Sequence, residues 1–531
     1  MEIAKDLHND VDLENISKIN ESMENHYKMK NKSKIASEAE EIYLTGDSDN
    51  DSGFLGASTG SLECLEETSE PEAISQDDDY FEIQDDFDLN TEEDISKKLE
   101  CPMKSCMTEK DNIAIQDFES AVKIVLGKIE FPKDYEYLTI SAKYEWLKET
   151  LEKSCRILPH DLLQSLSGFL LPGDCGRAKT DRPSWLDMDK FLRGQKFAQD
   201  HLFGVYFAEL LSLFALFSFR DGLKPMIVTG KSSTPYTAFR RYLSTGVRIR
   251  NWYTEDPWLK GTAAYKDIQT VRRMHSAVRQ RLWKINKEDI NEEANVPNAW
   301  CPTKDILLED FRSSCPVPSP GQCFWQHCDA SSIQFKGLNQ SDMSATQFGF
   351  VGLIILHPVS FGVHYATDED LEAFCHVWRG IGYLLGIQDE YNFCRGSLDE
   401  IRQRSRDFIN FWVKPNLREI NPEWEHMLRC ILAGLQYYFP GSSYETALMY
   451  FTELIEVPMP RLYNSMSYME WIKHNLNKSL FYFMSRITAV RQLMNKRLND
   501  ALDKAVNYDS ERHEALKKLS EITLERVAAH L

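Results

Sequence analysis

Apolar residues recur three and four positions apart along most of the chain after about residue 113. "AIQDFESAVKIVLGKI" and "SAKYEWLKETLEKSCRIL" show this spacing, and "DEDLEAFCHVWRGIGYLLGI" and "SLFYFMSRITAVRQLMNKRLNDALDKAV" repeat it further along. Such spacing collects apolar side chains on one face of an α-helix. Strand-like alternation is nearly missing. The sequence therefore predicts an all-α fold, built as a single large helical domain over residues 113–510.

Two stretches depart from this pattern. Residues 292–345 are rich in Pro, Ser and Cys, which predicts an irregular insertion in the helical domain. Leu202–Phe219 is apolar for 18 residues, close to the length of a membrane span. Glu209 lies in its middle, and a carboxylate there disfavours insertion, so we expect a buried helix. A peripheral contact with a membrane stays an alternative.

Charge separates the first part of the chain from the rest. Of the 531 residues, the first 110 hold 30 Asp and Glu against 10 Lys and Arg, whereas the remaining residues hold 52 and 51. A segment this acidic, with few apolar clusters, buries too little apolar surface to offset the entropy of ordering. We expect residues 1–110 to form a disordered acidic tail that is able to bind a basic partner. The sequence has no basic patch of the kind that binds nucleic acid, so we expect no nucleic-acid partner.

The twelve cysteines are scattered along the chain. The opening segment "MEIAKDLHND" has no charged-then-apolar layout of a secretory signal. We therefore expect free thiols in a reducing compartment and a protein that is intracellular, not secreted.

One histidine stands among arginines in "VRRMHSAVRQRL", residues 271–282. Val271, His275, Val278 and Leu282 follow helical spacing, so His275 lies in an apolar seam. Arginines at 272, 273, 279 and 281 flank that seam. Taken alone, the pattern is most typical of a core histidine bonded to a carbonyl, with arginines reaching solvent.

A second polar pair lies upstream in "RRYLST". Arg241 and Thr245 are four positions apart, so they share one helical face. A guanidinium and a hydroxyl on one face can orient a small polar ligand. The alternative is that Arg241 pairs with an acid and Thr245 bonds back to a backbone carbonyl.

These segments together resemble a known family. "PSWLD", "FLRGQKF", "RRYLST" and "VRRMHSAVR", followed by "TQFGF" and "VWRGIGYLLGI", occur in this order over roughly residues 180–415. They resemble the catalytic domain of the rubber oxygenases, or latex-clearing proteins. That family includes the endoplasmic-reticulum-bound oxygenase of fungal mycophenolic acid biosynthesis, and was long known only as a domain of unknown function.

The resemblance implies a haem b-dependent oxygenase that uses O₂ to cleave carbon–carbon double bonds of an apolar substrate, an isoprenoid or other lipid. It implies that His275 is the proximal iron ligand and that Arg241 and Thr245 lie on the catalytic, distal side. Arg272 and Arg279 would then pair with the haem propionates. The location it implies is the cytoplasm or the cytosolic face of the endoplasmic reticulum.

The chain departs from the family at two positions. Ser244 stands where rubber oxygenases carry a lysine that caps the iron, so that capped state should be missing. The family also uses a glutamate before the distal helix, whereas here Asp221 is the carboxylate in that stretch and Glu209 lies further back. The alternative function is a non-catalytic relative, with or without haem, that acts as a scaffold or signalling partner. A purely structural helical protein is a third alternative.

Overall fold

The computed structural model describes residues 109–178, 181–285, 287–323, 325, 337–441 and 443–530. Over these residues the regular elements are helices, joined by one isolated β-bridge between Pro172 and Asn339. The prediction of an all-α fold is confirmed. The predicted acidic tail lies outside the described residues except for its last two, which already belong to the first helix.

The described α-helices follow one another along the chain with short 3₁₀ turns and one π-helical segment (Phe408–Val413) between them. They are α1 (Glu109–Leu126), α2 (Ile140–Ser154), α3 (His160–Ser167), α4 (Met188–Asp200), α5 (Leu202–Leu216), α6 (Arg220–Val228), α7 (Pro235–Thr254), α8 (Ala263–Lys284), α9 (Lys287–Glu293), α10 (Lys304–Ser314), α11 (Gln340–Leu356), α12 (Asp368–Leu384), α13 (Leu398–Asp407), α14 (Lys414–Leu417), α15 (Pro422–Leu435), α16 (Tyr444–Leu454), α17 (Pro460–Ser465), α18 (Tyr468–Met484), α19 (Thr488–Val506) and α20 (Ser510–His530).

Helix α7 begins at a capping box. The side chain of Thr234 accepts a hydrogen bond from the backbone N–H of Thr237, whose hydroxyl in turn accepts from the backbone N–H of Thr234. Pro235 occupies the first turn, where a missing N–H costs nothing. Thr234 and Pro235 together fix the residue at which α7 begins.

The predicted irregular insertion at 292–345 is wrong in part. Residues Lys304–Ser314 form α10, which buries Leu307 and Phe311, and α11 begins at Gln340. Leu307 and Phe311 are one helical turn apart, so the apolar spacing of a helix is present despite the surrounding Pro and Ser residues. Residues 324 and 326–336 lie outside the described part.

The apolar run after residue 201 forms a buried helix, as expected. Helix α5 is mostly buried, and His201 separates it from α4. Within the described residues no single helix has the length and composition to cross a membrane. The pair α5 and α6, bent by 109°, meets that test together.

Helix α7 is a central element of the packing. It lies against α4, α8, α15, α19 and α20. Gly434 of α15 allows the closest of these approaches, because a Cβ there would stand 2.5 Å from the carbonyl oxygen of Pro235. Helix α7 is therefore fixed in position by contacts with helices on several sides.

One apolar core joins the first described helix to the last. It includes Ile115 and Phe118 of α1 and reaches Leu516 of α20, so the helical part continues beyond the predicted end at residue 510. The eight cysteines of the described part are free thiols.

Candidate functional site

His275 lies on α8 and lines an internal space. The helix starts at Thr262, whose hydroxyl accepts from the N–H of Tyr265 at 3.1 Å. His275 lies deep in the fold, among many protein atoms, yet it keeps part of its accessible surface. Val271 and Val278, one turn to either side, are partly accessible too. A residue enclosed in this way and still accessible faces an unfilled space within the fold.

The imidazole of His275 has no hydrogen-bond partner among the described residues. Its Nδ1 atom is completely covered and unpaired. Burial, together with the charges of Arg279 and Arg241, lowers the pKa of His275 to about 4. The ring is therefore neutral at pH 7. The structure does not show the carbonyl partner that an ordinary core histidine would have.

Arg241 lies on α7, close enough to His275 to affect its pKa, and is likewise enclosed. Its guanidinium donates to the hydroxyl of Ser232 at 3.4 Å and approaches the sulfur of Met226 at 2.8 Å. No carboxylate of the described part pairs with it. Burial lowers the pKa of Arg241, as expected for a cation held away from water.

Thr245 shares the α7 face of Arg241, one turn further along. Its hydroxyl makes no hydrogen bond within the described part of the chain, so the bond back to a carbonyl is not formed there. The hydroxyl of the neighbouring Ser244 accepts a hydrogen bond from the guanidinium of Arg248. Arg248 in turn reaches Asp267 of α8 at 3.5 Å. Ser244 thus belongs to the contact between the two helices.

The two arginines predicted to bind a cofactor differ in their contacts. Arg272 is paired with Asp174 through two hydrogen bonds of 2.6 Å and also donates to the carbonyl of Arg177. Arg279 donates its Nε–H to the carbonyl of Leu338 at 3.1 Å and forms no ion pair with the described residues. Burial lowers the pKa of Arg279, and the charge of Arg272 adds to this effect, although Asp174 opposes it.

Asp174 is a site residue that the sequence analysis missed. Burial disfavours its charged form, but the hydrogen bonds and charge of Arg272 outweigh this and lower its pKa. Asp174 lies 98 positions before Arg272, in the short segment "LPGDCGR" between α3 and α4. The only local sign of Asp174 in the sequence is the tight "PGD" turn. Asp174 stabilises this turn by accepting a hydrogen bond of 2.9 Å from the N–H of Gly176.

The carboxylates considered as a base do not bond to Arg241 or His275. Asp221 pairs with Lys224 on α6 at 2.6 Å. Glu209 lies on α5, enclosed by protein, and accepts a hydrogen bond of 3.0 Å from the hydroxyl of Tyr253. Burial raises the pKa of Glu209 to about 8, only partly opposed by that bond. Glu209 therefore holds a proton at pH 7.

The segment "WRGIGYLLGI" serves the packing of the helices. Arg379 pairs with Asp389 through two hydrogen bonds and stacks on Trp185 at 4.0 Å. Gly382 lets Gln347 approach so closely that a Cβ would collide with its side chain. The indole N–H of Trp378 donates to Tyr253 at 3.0 Å.

The charges around His275 do not balance. The charges of Arg241 and Arg279 lower the pKa of His275, and Asp174, the carboxylate that raises it, is already paired with Arg272. The described residues contain no cluster of three or more His, Cys, Asp or Glu side chains that could hold a metal ion. The site offers one neutral imidazole, guanidinium donors for an anion and a hydroxyl, all beside an internal space.

Comparisons with known proteins give little beyond this geometry. No family model matches the chain, and neither does any curated protein. Among solved structures, the chain is similar to the one titled "Structure of Latex Clearing Protein LCP in the closed state", with a TM-score of 0.37 and 16% sequence identity. The match covers 72% of this chain and 94% of that chain. The family and the roles of the site residues stay predictions.

Proposed function

We propose that the protein is a haem b-dependent oxygenase that uses O₂ on an apolar substrate, an isoprenoid or other lipid. The observation that carries the proposal is His275: a neutral imidazole without a hydrogen bond in the described part, facing an internal space beside Arg241. Most buried polar groups in proteins have a hydrogen-bond partner, and no bond to either nitrogen of His275 is formed with the described residues. The order of the motifs around it, which resembles the rubber oxygenases, supports the same function.

The residues present fit a haem. A histidine must be neutral to bind a metal, and His275 is neutral. Because Nδ1 is covered, Nε2 is the atom that would bind the iron. A porphyrin brings four nitrogen ligands of its own, so it requires a single one from this face of the protein. Its two propionates would also offset the excess positive charge around His275.

The arginines would then divide the work between them. Arg279 has guanidinium N–H groups left over and is the better candidate to hold a propionate. Arg272 is already paired with Asp174, so we assign it the role of fixing α8 and, through it, the position of His275. To bind a propionate as well, the guanidinium of Arg272 would have to donate to that carboxylate and to Asp174 at the same time.

When bound, the haem would supply the oxidising chemistry with O₂. Arg241 and Thr245 would orient the reacting groups, since the guanidinium and the hydroxyl share one face of α7. The apolar side chains Val271 and Val278 would keep water from this region. Glu209 holds a proton at pH 7 but makes no contact with Arg241 or His275, so we assign it no step.

The experiment is an absorption spectrum of the full-length chain produced with haem supplied, beside His275→Ala. We expect a Soret band that shifts or disappears in the variant. His376→Gln is the matched control: His376 is also buried, with a pKa lowered to about 4 mainly by burial, but its Nε2 accepts from the N–H of Asp187 at 3.1 Å. This control should keep the band.

Oxygen consumption with a polyene such as squalene then tests catalysis. Uptake of O₂ that is lost in His275→Ala supports the oxygenase. A haem-bound protein without uptake favours the non-catalytic relative, and a colourless, well-folded protein contradicts the haem assignment. The acidic tail with its basic partner, the membrane contact, the absence of a nucleic-acid partner and the intracellular location remain predictions.

A further inference from the structure

The guanidinium of Arg241 is a buried charge without a counter-charge in the described part. Its two contacts are the Ser232 hydroxyl and the Met226 sulfur, and a thioether is a weak acceptor. Arg272, on the neighbouring helix, shows the usual arrangement: its buried charge is matched by Asp174. Burying an unpaired cation is costly, so it is retained mainly where something else supplies the negative charge.

The side chains around Arg241 and His275 combine these polar groups with apolar ones. Met226 lies against its guanidinium, and Val271 and Val278 flank His275 on the facing helix. A molecule that fills this space should be largely hydrocarbon, with an anionic group at one end. A carboxylate suits a guanidinium best, because its two oxygens match two parallel N–H donors.

We propose that the internal space at His275 binds an apolar acid whose carboxylate is held by Arg241 on the α7 side, which leaves the α8 face of His275, Val271 and Val278 to the haem. This deepens the proposed function, on which it rests for the site, by naming the substrate class: a long-chain carboxylic acid rather than a neutral hydrocarbon.

The test compares two ligands with the same chain, dodecanoate and 1-dodecanol, by isothermal titration calorimetry on the full-length protein. We expect dodecanoate to bind about ten- to hundredfold more tightly, since a hydrogen bond to a buried charge contributes that much. Arg241→Met should abolish the preference. Arg240→Met is the control, because Arg240 is the preceding residue of α7 and is exposed.

Thermal unfolding without ligand separates binding from a structural role. If Arg241 is kept for a ligand, Arg241→Met removes an unpaired buried charge and should raise the melting temperature by a few degrees. If Arg241 instead supports the fold, the same variant melts at a lower temperature, and Arg241→Lys, which keeps the charge, recovers part of the loss. That second pattern would overturn the proposal.

Two further results would also overturn it. One is equal affinity for dodecanoate and 1-dodecanol, or a preference that survives Arg241→Met. The other is a preference that vanishes once haem is loaded, because a propionate would then be the carboxylate that Arg241 holds. A protein that takes up no haem but shows the preference loses the proposed oxygenase and keeps the acid-binding site.

Discussion

His275 stays neutral inside the protein because burial and two neighbouring guanidinium groups all disfavour its charged form. An unfolded chain would protonate this histidine near pH 6.5, whereas the folded protein resists protonation until about pH 4. Its contribution to the free energy of unfolding is therefore full above pH 6.5 and declines as the pH falls toward 4. The same burial that makes the imidazole available as a ligand thus makes the fold sensitive to acid.

Glu209 shows the opposite dependence. Burial raises its pKa to about 8, well above that of an unfolded glutamate near 4.5, so the folded state binds the proton more tightly. Its contribution is full below pH 4.5 and is lost as the pH rises toward 8. Glu209→Gln keeps an acceptor for Tyr253 but removes the titration. We expect its stability advantage over the parent to grow between pH 5 and 8, by up to about 1.4 kcal/mol per pH unit.

Denaturant unfolding at several pH values measures this difference, in which the other titrating groups cancel. Glu145→Gln serves as the control, since Glu145 is exposed on α2 and its variant should follow the parent at every pH. A Glu209→Gln difference that stays constant from pH 5 to 8 would show that Glu209 is already ionised in the fold.

Helices α7 and α8 carry the predicted site residues, and each is positioned by contacts made far away in sequence. The Thr234 capping box sets the start of α7, and Gly434 of α15 allows close packing against it. Helix α8 is tied by Arg272 to Asp174, both of them largely buried. Breaking this ion pair should loosen α8 more than the loss of any surface contact.

Asp174→Asn tests that connection. The variant leaves Arg272 buried with an unmatched charge, which costs about 3–5 kcal/mol in such pairs. Glu149→Gln breaks the exposed pair of Glu149 with Lys153 on α2 and should leave the free energy of unfolding close to that of the parent. Denaturant unfolding measures both. A loss in Asp174→Asn no larger than that in Glu149→Gln would mean that the pair does not fix α8.

The fold and its site were accessible from the sequence to different degrees. Helical spacing was enough for the all-α class, for the seam that contains His275 and for the shared face of Arg241 and Thr245, because these depend on neighbours three or four positions away. The break between α4 and α5 at His201 leaves no mark in the apolar pattern, so the spacing does not show where one helix ends and the next begins. Helix α10 was missed because the Pro and Ser residues around it outweighed its short apolar spacing in the prediction of an irregular segment.

Long-range pairs were not accessible in this way. Asp174 meets Arg272 across 98 positions and Tyr253 meets Glu209 across 44, and neither separation has a local signature. Whether Arg241 has a counter-charge also depends on every helix around it. Such pairing decides which arginine supports the fold and which stays available for a ligand, so the division between Arg272 and Arg279 required the structure.

The most direct test of the central claim is chemical rescue of His275→Gly. The full-length variant is produced with haem supplied, and its Soret spectrum is recorded with and without free imidazole. If His275 is the axial ligand, the variant's altered band should return toward the parent's position as imidazole enters the vacated space. A parent without a Soret band, or a band that His275→Gly leaves unchanged, would contradict the assignment of His275 as the haem ligand.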